Sequence, residues 1–167
     1  MLANLDFDAR EGVEGALTED ELLAICKAVL AAENVTRPCY VSVTLVDDDE
    51  MRENNLEWRD VDAATDVISL ECERPDDPDL AEDEPCELGD ILLAPDYIAR
   101  QAARFGTTPA DEMRLLFVHG LLHLLGYDHL EDDEAEEMES REDELLKLVP
   151  TDGTLDHVMI TRHREDA

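Results

Sequence analysis

The sequence predicts one folded domain in which helices and strands alternate and one helix lies inside the core. The chain has 167 residues, enough for a single domain with its own core, and 44% of them are hydrophobic. Alternating apolar runs, typical of strands, are separated by apolar residues at helical period. Residues 115–125 are apolar nearly all round, which indicates a buried helix. We expect residues 1–150 to form this domain and residues 151–167 to form a flexible tail.

The first half of the chain predicts three strands and two helices. In chain order these are an edge strand over residues 2–7, a helix that starts at the capping box 18–21, a strand over 40–46, a helix over 47–58 and a strand over 66–70. Because a single helix separates the last two strands, we expect them to lie parallel, joined by a right-handed crossover.

The second half predicts one further strand and three helices. These are a strand over 88–94, a helix over 95–105, a helix that follows a Thr108 cap and carries two histidines, and a helix from 131 to about 148. Residues 71–87 are acidic and proline-rich without the ligand order of a calcium loop, and predict a mobile connection. The last helix has one apolar stripe (Ala135, Met138, Leu145 and Val149), and its acidic run over 131–144 is expected to be its solvated face.

The composition of the chain indicates its cellular compartment and its possible binding partners. The chain has 45 acidic and 13 basic residues and a net charge of −32, which ordinarily argues against a nucleic-acid partner. We interpret the charge as a solvated surface suited to a salty cytoplasm, so it does not exclude an RNA substrate. The four cysteines are scattered, and the N-terminus has no signal-peptide pattern. A cytoplasmic protein with reduced thiols is therefore expected.

Three histidines follow a metal-ligand spacing. His119 and His123 are four residues apart and would stack on one helix face. Gly126 follows where a left-handed turn could end the helix and bring His129 to the same place. Three neutral imidazoles with an open fourth position are typical of a catalytic zinc. The sequence therefore predicts one Zn²⁺ per chain, held by these three histidines.

The same spacing occurs in the metzincin metalloproteases, whose motif is H-E-x-x-H-x-x-G-x-x-H. Those enzymes place a glutamate after the first histidine as the general base, whereas this chain has Gly120 there. Glycine cannot accept a proton, so the pattern keeps the metal ligands and lacks the protease base. Within a helix this glycine costs about 1 kcal/mol relative to alanine, which predicts a close-packed neighbour or open space beside the metal.

Three segments of the chain together resemble the YbeY family of bacterial ribosomal-RNA maturation endoribonucleases. They are residues 41–69 with Asn55, Arg59, Asp62 and the run Thr65-Asp66-Val67-Ile68-Ser69; Leu88-Gly89-Asp90-Ile91; and Val118 to His129. Two positions depart from the family pattern: Ala64 stands where proline is usual, and Leu70 where phenylalanine follows the serine. Neither departure removes a reactive group.

The resemblance implies an α+β fold in which a small mixed sheet packs with helices around a central, buried, histidine-bearing helix. It implies a zinc-dependent endoribonuclease that hydrolyses single-stranded RNA, in small-subunit rRNA 3′-end maturation and ribosome quality control. The implied partners are single-stranded RNA, rRNA and the ribosome or its small subunit. No DNA and no membrane are expected as partners.

Four further residues are candidates for the site. Arg59 matches the functional arginine of the family, and a guanidinium suits the charge that builds on phosphoryl oxygens. Taken alone, the position favours a surface arginine paired with Asp60 or Asp62, and the match to the family reverses this interpretation. Three carboxylates, those of Asp66, Asp90 and Asp128, could orient imidazole N–H groups or could be turn and cap residues.

Two other functions stay open. The chain could be a non-catalytic, ribosome-associated factor in which zinc only stabilises the fold. It could also be a metal-dependent hydrolase of a non-RNA substrate, including a peptidase whose base comes from elsewhere in the chain. RNA and casein cleavage, with and without a chelator, would separate these alternatives.

Overall fold

The computed structural model describes residues 3–127 and 131–153, and these form a small mixed sheet with five helices. The elements are β1 (Ala3–Ala9), α1 (Glu19–Ala32), β2 (Cys39–Leu45), α2 (Asp48–Arg59), β3 (Val67–Glu71), β4 (Cys86–Leu93), α3 (Pro95–Phe105), α4 (Pro109–Leu124) and α5 (Asp132–Leu146). The α+β class is confirmed. Each predicted strand and helix is present, with its ends shifted by a few residues at most.

The sheet has the strand order β1-β2-β4-β3. β1, β2 and β4 run parallel, and β3 runs antiparallel to β4 at the edge. The predicted parallel crossover between residues 40–46 and 66–70 is therefore wrong: β2 and β3 do not pair, because β4 lies between them. The strand that returns parallel to β2 is β4, after α2, β3 and the acidic connection.

Strand β4 has a bulge in its pairing with β2, next to the point where it comes close to β3. The register with β2 shifts between Tyr40 and Val41, which leaves Leu88 as the extra residue. Gly89 follows with φ of 138°, and a Cβ atom there would lie 2.0 Å from the carbonyl oxygen of Leu70 in β3. Only glycine fits both this backbone angle and this approach.

The predicted caps are confirmed at two helices. Thr18 Oγ1 accepts a hydrogen bond from the Glu21 amide, and Glu21 Oε1 accepts one from the Thr18 amide, each at 3.1 Å. At α4, Thr108 Oγ1 accepts from the Asp111 amide at 3.1 Å. These local bonds satisfy amides that the first helical turn leaves without partners.

Helix α4 packs against α1, α3, α5, β3 and β4. Twelve of its 16 residues are buried. The predicted close neighbour of Gly120 is present: a Cβ atom there would lie 3.0 Å from Ser69 Oγ and 3.2 Å from Ile91 Cδ1. The missing side chain thus lets α4 approach the sheet closely. No helix in the described part of the chain has the length and apolarity to span a membrane.

Backbone contacts hold the acidic connection and the residues after α5. Arg37 donates to the carbonyl oxygens of Ala81, at 2.8 Å, and Glu84, at 2.6 Å. The amide of Asp152 donates to the buried carboxylate of Asp111 at 2.9 Å, so residues 151–153 contact the start of α4.

Candidate functional site

A cleft of about 490 Å³ opens beside α4, between the end of α2, strand β3 and helix α3. His119 and His123 line it from α4, and Arg59 lines it from the last residue of α2. Asp66 lines it at the start of β3, and α3 contributes several polar side chains. The structure thus brings four of the predicted site residues to one cleft.

The two histidines present ring nitrogens to each other. Their Nε2 atoms are 3.1 Å apart, and their rings are nearly perpendicular, with centroids 4.6 Å apart. The four-residue spacing along α4 places them on one face, one turn apart. This arrangement is the one predicted for two of the three zinc ligands.

The oxygen atoms opposite the Nδ1 atoms fix the tautomer of each ring. His119 Nδ1 is 2.5 Å from Glu142 Oε1, and His123 Nδ1 is 3.1 Å from the carbonyl oxygen of Tyr127. Both oxygens accept, so each neutral ring carries its proton on Nδ1 and a lone pair on Nε2. Two Nε2 lone pairs aimed at one place are a donor set for a cation.

The distance between these nitrogens fits a tetrahedral metal ion. Imidazole nitrogens lie 2.0–2.1 Å from zinc, so two ligands of a tetrahedral site are about 3.3 Å from each other. The observed Nε2 separation of 3.1 Å agrees with that spacing. An acceptor on the second ring nitrogen is also the usual outer contact of a histidine ligand.

The predicted turn after α4 is confirmed at Gly126, whose φ is 106°. The Tyr127 amide donates to the Leu122 carbonyl at 2.9 Å, and this reversal turns the Tyr127 carbonyl towards His123. His129 and Asp128 lie outside the described residues. Within residues 3–127 and 131–153, no cluster of three or more metal-ligating side chains is present.

Glu142 overturns the prediction that the acids of the last helix are all solvated. Its side chain is fully buried, and it reaches His119 from α5. The residue falls on the apolar stripe that contains Met138 and Leu145, at a spacing of four and three residues. The position of an acidic residue on an apolar stripe therefore indicated burial. The many acidic residues around it made this pattern hard to recognise in the sequence.

Helix α5 is linked to the turn that holds His123 through Glu33, at the end of α1. Arg141 Nε donates to Glu33 Oε2 at 2.6 Å, and Arg141 Nη2 donates to the Ala32 carbonyl at 2.7 Å. Burial and a hydrogen bond with Glu33 raise the pKa of Tyr127 to about 12, so this phenol stays protonated and donates. One helix thus supports both imidazoles, His119 directly and His123 through the Tyr127 turn.

Asp66 is buried, but its contacts are not with an imidazole. Oδ1 accepts from the Val67 amide at 2.7 Å, and Oδ2 accepts from Gln101 Nε2 at 3.1 Å. The same Gln101 nitrogen donates to buried Glu112 at 3.0 Å. Asp90 is exposed on β4. In the described contacts, the oxygens that face the two Nδ1 atoms are those of Glu142 and the Tyr127 carbonyl, not those of Asp66 or Asp90.

Arg59 is exposed at the end of α2, where Asp60 adopts a left-handed conformation and stops the helix. Its Nη2 donates to the Val67 carbonyl at 3.2 Å. Asp62, one of its suggested partners, is bound instead by Arg52 at 2.6 Å, and this guanidinium lowers the pKa of the Asp62 carboxyl. The preceding Trp58 is 56% exposed and not part of the core.

The comparisons with known proteins identify the family of the chain. A family model described as Endoribonuclease YbeY matches residues 6–149. A Micrococcus luteus protein named Endoribonuclease YbeY is 43% identical over 83% of this chain and 87% of its own length. A Mycobacterium tuberculosis protein of the same name is 40% identical over 78% of this chain and 76% of its own.

One solved structure has the same fold. The solution structure of TM1509 from Thermotoga maritima covers 86% of this chain and 87% of its own, with 26% identity and a TM-score of 0.56. Together, the family match over residues 6–149 and the relatives at 40% identity or more show that this chain belongs to the YbeY endoribonuclease family.

Proposed function

We propose that this protein is a zinc-dependent endoribonuclease that hydrolyses phosphodiester bonds of single-stranded RNA. We further propose that it acts in small-subunit rRNA 3′-end maturation and in ribosome quality control, in the cytoplasm. The observation that carries the proposal is the pair of Nε2 atoms 3.1 Å apart, in a cleft that Arg59 also lines. The endoribonuclease name of its relatives supports the substrate class.

His119, His123 and His129 would hold the zinc ion. When bound, zinc supplies a Lewis acid for a phosphodiester and a means of ionising water near neutral pH. Glu142 and the Tyr127 carbonyl keep the Nδ1 protons in place, so both described Nε2 atoms present lone pairs. The negative charge of Glu142 raises the basicity of the His119 ring, which strengthens it as a ligand.

Arg59 would contact the phosphoryl oxygens. One of its N–H groups is held by the Val67 carbonyl, which orients the planar guanidinium at the cleft. The remaining donors form a fork that matches two oxygens of a phosphodiester. Charge that develops on those oxygens during hydrolysis would strengthen this contact, and such a difference lowers the barrier.

The experiment compares RNA and casein cleavage on one metal-quantified preparation, with and without a chelator. We expect single-stranded RNA to be cut, a duplex of the same sequence to be cut poorly, and casein to stay intact. Chelation should stop the reaction, and one equivalent of zinc should restore it. An RNase that copurifies is excluded if His123→Ala, prepared in parallel, lacks both zinc and cleavage.

Other outcomes point to other functions. Cleavage of casein and not RNA would indicate a peptidase. A zinc-loaded protein that cleaves neither, yet melts earlier after chelation, would indicate a structural metal in a ribosome-associated factor. Zinc retained at one equivalent in His123→Ala would contradict the ligand assignment itself.

A further inference from the structure

Most arginines in the described part of the chain have a carboxylate partner. Six of the nine form ion pairs, namely Arg10, Arg52, Arg74, Arg100, Arg114 and Arg141. Arg37 instead donates to two backbone carbonyls of the acidic connection. The two that remain, Arg59 and Arg104, have no ion pair with a described carboxylate, and both line the histidine cleft.

This distribution matters because acids outnumber basic residues by 45 to 13. An exposed guanidinium on such a surface ordinarily meets a carboxylate, as four of the six ion pairs illustrate, those of Arg10, Arg52, Arg74 and Arg100. The two acidic residues of the cleft accept hydrogen bonds from groups other than Arg59 and Arg104. Asp66 accepts from Val67 and Gln101, and Glu71 accepts from Arg74 at 3.1 Å. The cleft thus keeps two cations available to an anionic ligand.

Helix α3 presents Arg104 to the cleft from a fixed surface. Tyr97, Gln101 and Arg104 are spaced by four and three residues, so they share one helix face, and all three line the cleft. Gln101 is held by its bonds to Asp66 and Glu112. The Arg104 Cζ atom lies 4.9 Å from the centroid of the Phe105 ring, a cation–π contact, and the residue is exposed.

We propose that Arg104 binds a backbone phosphate of the RNA substrate other than the phosphate that is cleaved. The inference rests on the proposed function. Arg59 and Arg104 reach the cleft from different helices, so one strand can meet both, with Arg59 at the reacting group and Arg104 at a neighbouring phosphate. A contact of this kind positions the strand and is made equally before and during the reaction. It therefore lowers KM and leaves kcat unchanged.

A different role for Arg104 would be to stabilise α3 alone. The residue lies in the last helical turn, where a cation interacts favourably with the helix dipole. That role predicts a change in melting temperature without a change in KM. The matched control is Arg100, which lies on the same helix and carries the same charge, but pairs with Asp48 and does not line the cleft.

The test compares Arg104→Gln and Arg100→Gln as zinc-loaded enzymes on a fluorescent single-stranded RNA. We expect Arg104→Gln to raise KM roughly tenfold, the loss of one hydrogen-bonded charged contact, and to leave kcat, zinc content and melting temperature near the parent values. Arg100→Gln should leave KM within about twofold, because an exposed ion pair contributes little. In a KCl series, the slope of log KM against log salt should fall by about 0.7 for Arg104→Gln only, which is one phosphate contact on a single strand.

Equal KM values for the two variants would overturn the inference while the proposed function stands. A parent enzyme that does not cleave RNA would overturn both. If Arg104→Gln melts early, Arg104→Lys decides the question, since it keeps the charge near the helix end but lacks the planar fork. Lysine binds a phosphate as a point charge, so a KM between those of the parent and Arg104→Gln, at the parental melting temperature, supports the phosphate contact. A KM of Arg104→Gln that stays at the parental value, measured well below its own melting temperature, contradicts it.

Discussion

At the scale of single residues, the site depends on a carboxylate held away from water. Glu142 is fully buried, and its Oε1 lies 2.5 Å from His119 Nδ1. Removing a carboxylate from water costs several kcal/mol unless hydrogen bonds and nearby positive charge compensate. A dication on the far side of the His119 ring would supply that charge. The ligand and the acid behind it therefore form one unit.

We expect Glu142→Ala to weaken zinc binding about 10- to 100-fold, the usual effect of losing an outer contact to a histidine ligand. The zinc affinity of Glu142→Gln should lie between those of the parent and Glu142→Ala, because the glutamine amide oxygen still accepts from Nδ1 but carries no charge. Competition with a chromophoric chelator measures the affinity, and Glu136→Gln, an exposed change on the same helix, is the control. Parental zinc affinity in Glu142→Ala would show that His119 needs no support from α5.

Arg59→Ala should lose roughly 10²- to 10³-fold in kcat, the scale of removing one donor from developing charge. Zinc content and melting temperature should stay near the parent, because the side chain is exposed and makes one bond to a carbonyl. Arg52→Ala on the same helix is the matched control, since its partner Asp62 lies outside the cleft. Full activity of Arg59→Ala would exclude the proposed role, and Arg59→Lys should recover activity only in part.

The sequence predicted the relative position of His119 and His123, whose evidence is a spacing, but it did not predict the burial of Glu142. His119 and His123 stand four apart on a helix, which determines their mutual position before any packing is known. Glu142 lies among many acids, and its burial depends on the contact between α5 and α4, which no local pattern encodes. Its position on the apolar stripe was the available signal.

At the scale of elements, caps and periodicity identify helices and strands, whereas strand pairing does not follow from them. The Thr18 capping box and the Thr108 cap are bonds between residues three apart, so they can be read from the chain directly. β3 pairs with β4, and at Gly89 the bulged β4 comes close to Leu70 of β3. That contact joins residues on different strands, and the expected crossover was wrong for this reason.

Gly89→Ala tests this edge of the sheet. The added Cβ would lie 2.0 Å from the Leu70 carbonyl oxygen, and φ of 138° is strained for any L side chain, so we expect a loss of roughly 3 kcal/mol or more in unfolding free energy. Gly106→Ala is the control, because its φ of 75° is also left-handed but the space beside it is open. The Gly106→Ala substitution should lower the unfolding free energy by only about 1–2 kcal/mol. Urea unfolding measures both, and similar losses would show that the approach of β3 to β4 adds no strain.

At the scale of the whole molecule, the excess of acidic residues governs both stability and substrate approach. The net charge of −32 creates repulsion within the fold and between the protein and a polyanionic substrate. The described ion pairs neutralise only part of this negative charge, and most of them are exposed. Added salt therefore removes more repulsion than attraction, since exposed ion pairs contribute little.

We expect both the melting temperature and the RNA cleavage rate to rise as KCl increases towards molar concentration, with the rate falling again at the highest salt. At about 1 M the Debye length is roughly 3 Å, which screens repulsion between distant acids and spares direct contacts in the cleft. The measurement is a titration of both quantities from low salt upward. A steady fall in both would mean that the acidic surface is no adaptation to salt and that the cations of the cleft dominate RNA binding.

The support of His119 by α5 also determines when the site is complete during synthesis. A chain emerges from its N-terminus, so α4 and its two histidines appear before Glu142 and Arg141 do. The bond from Arg141 to Glu33 joins residues 108 positions apart, and the one from His119 to Glu142 spans 23. A nascent chain that ends before α5 has the imidazoles without the carboxylate behind them. The support behind His119 is thus among the last parts of the protein to be assembled, after the sheet and the first four helices have been made.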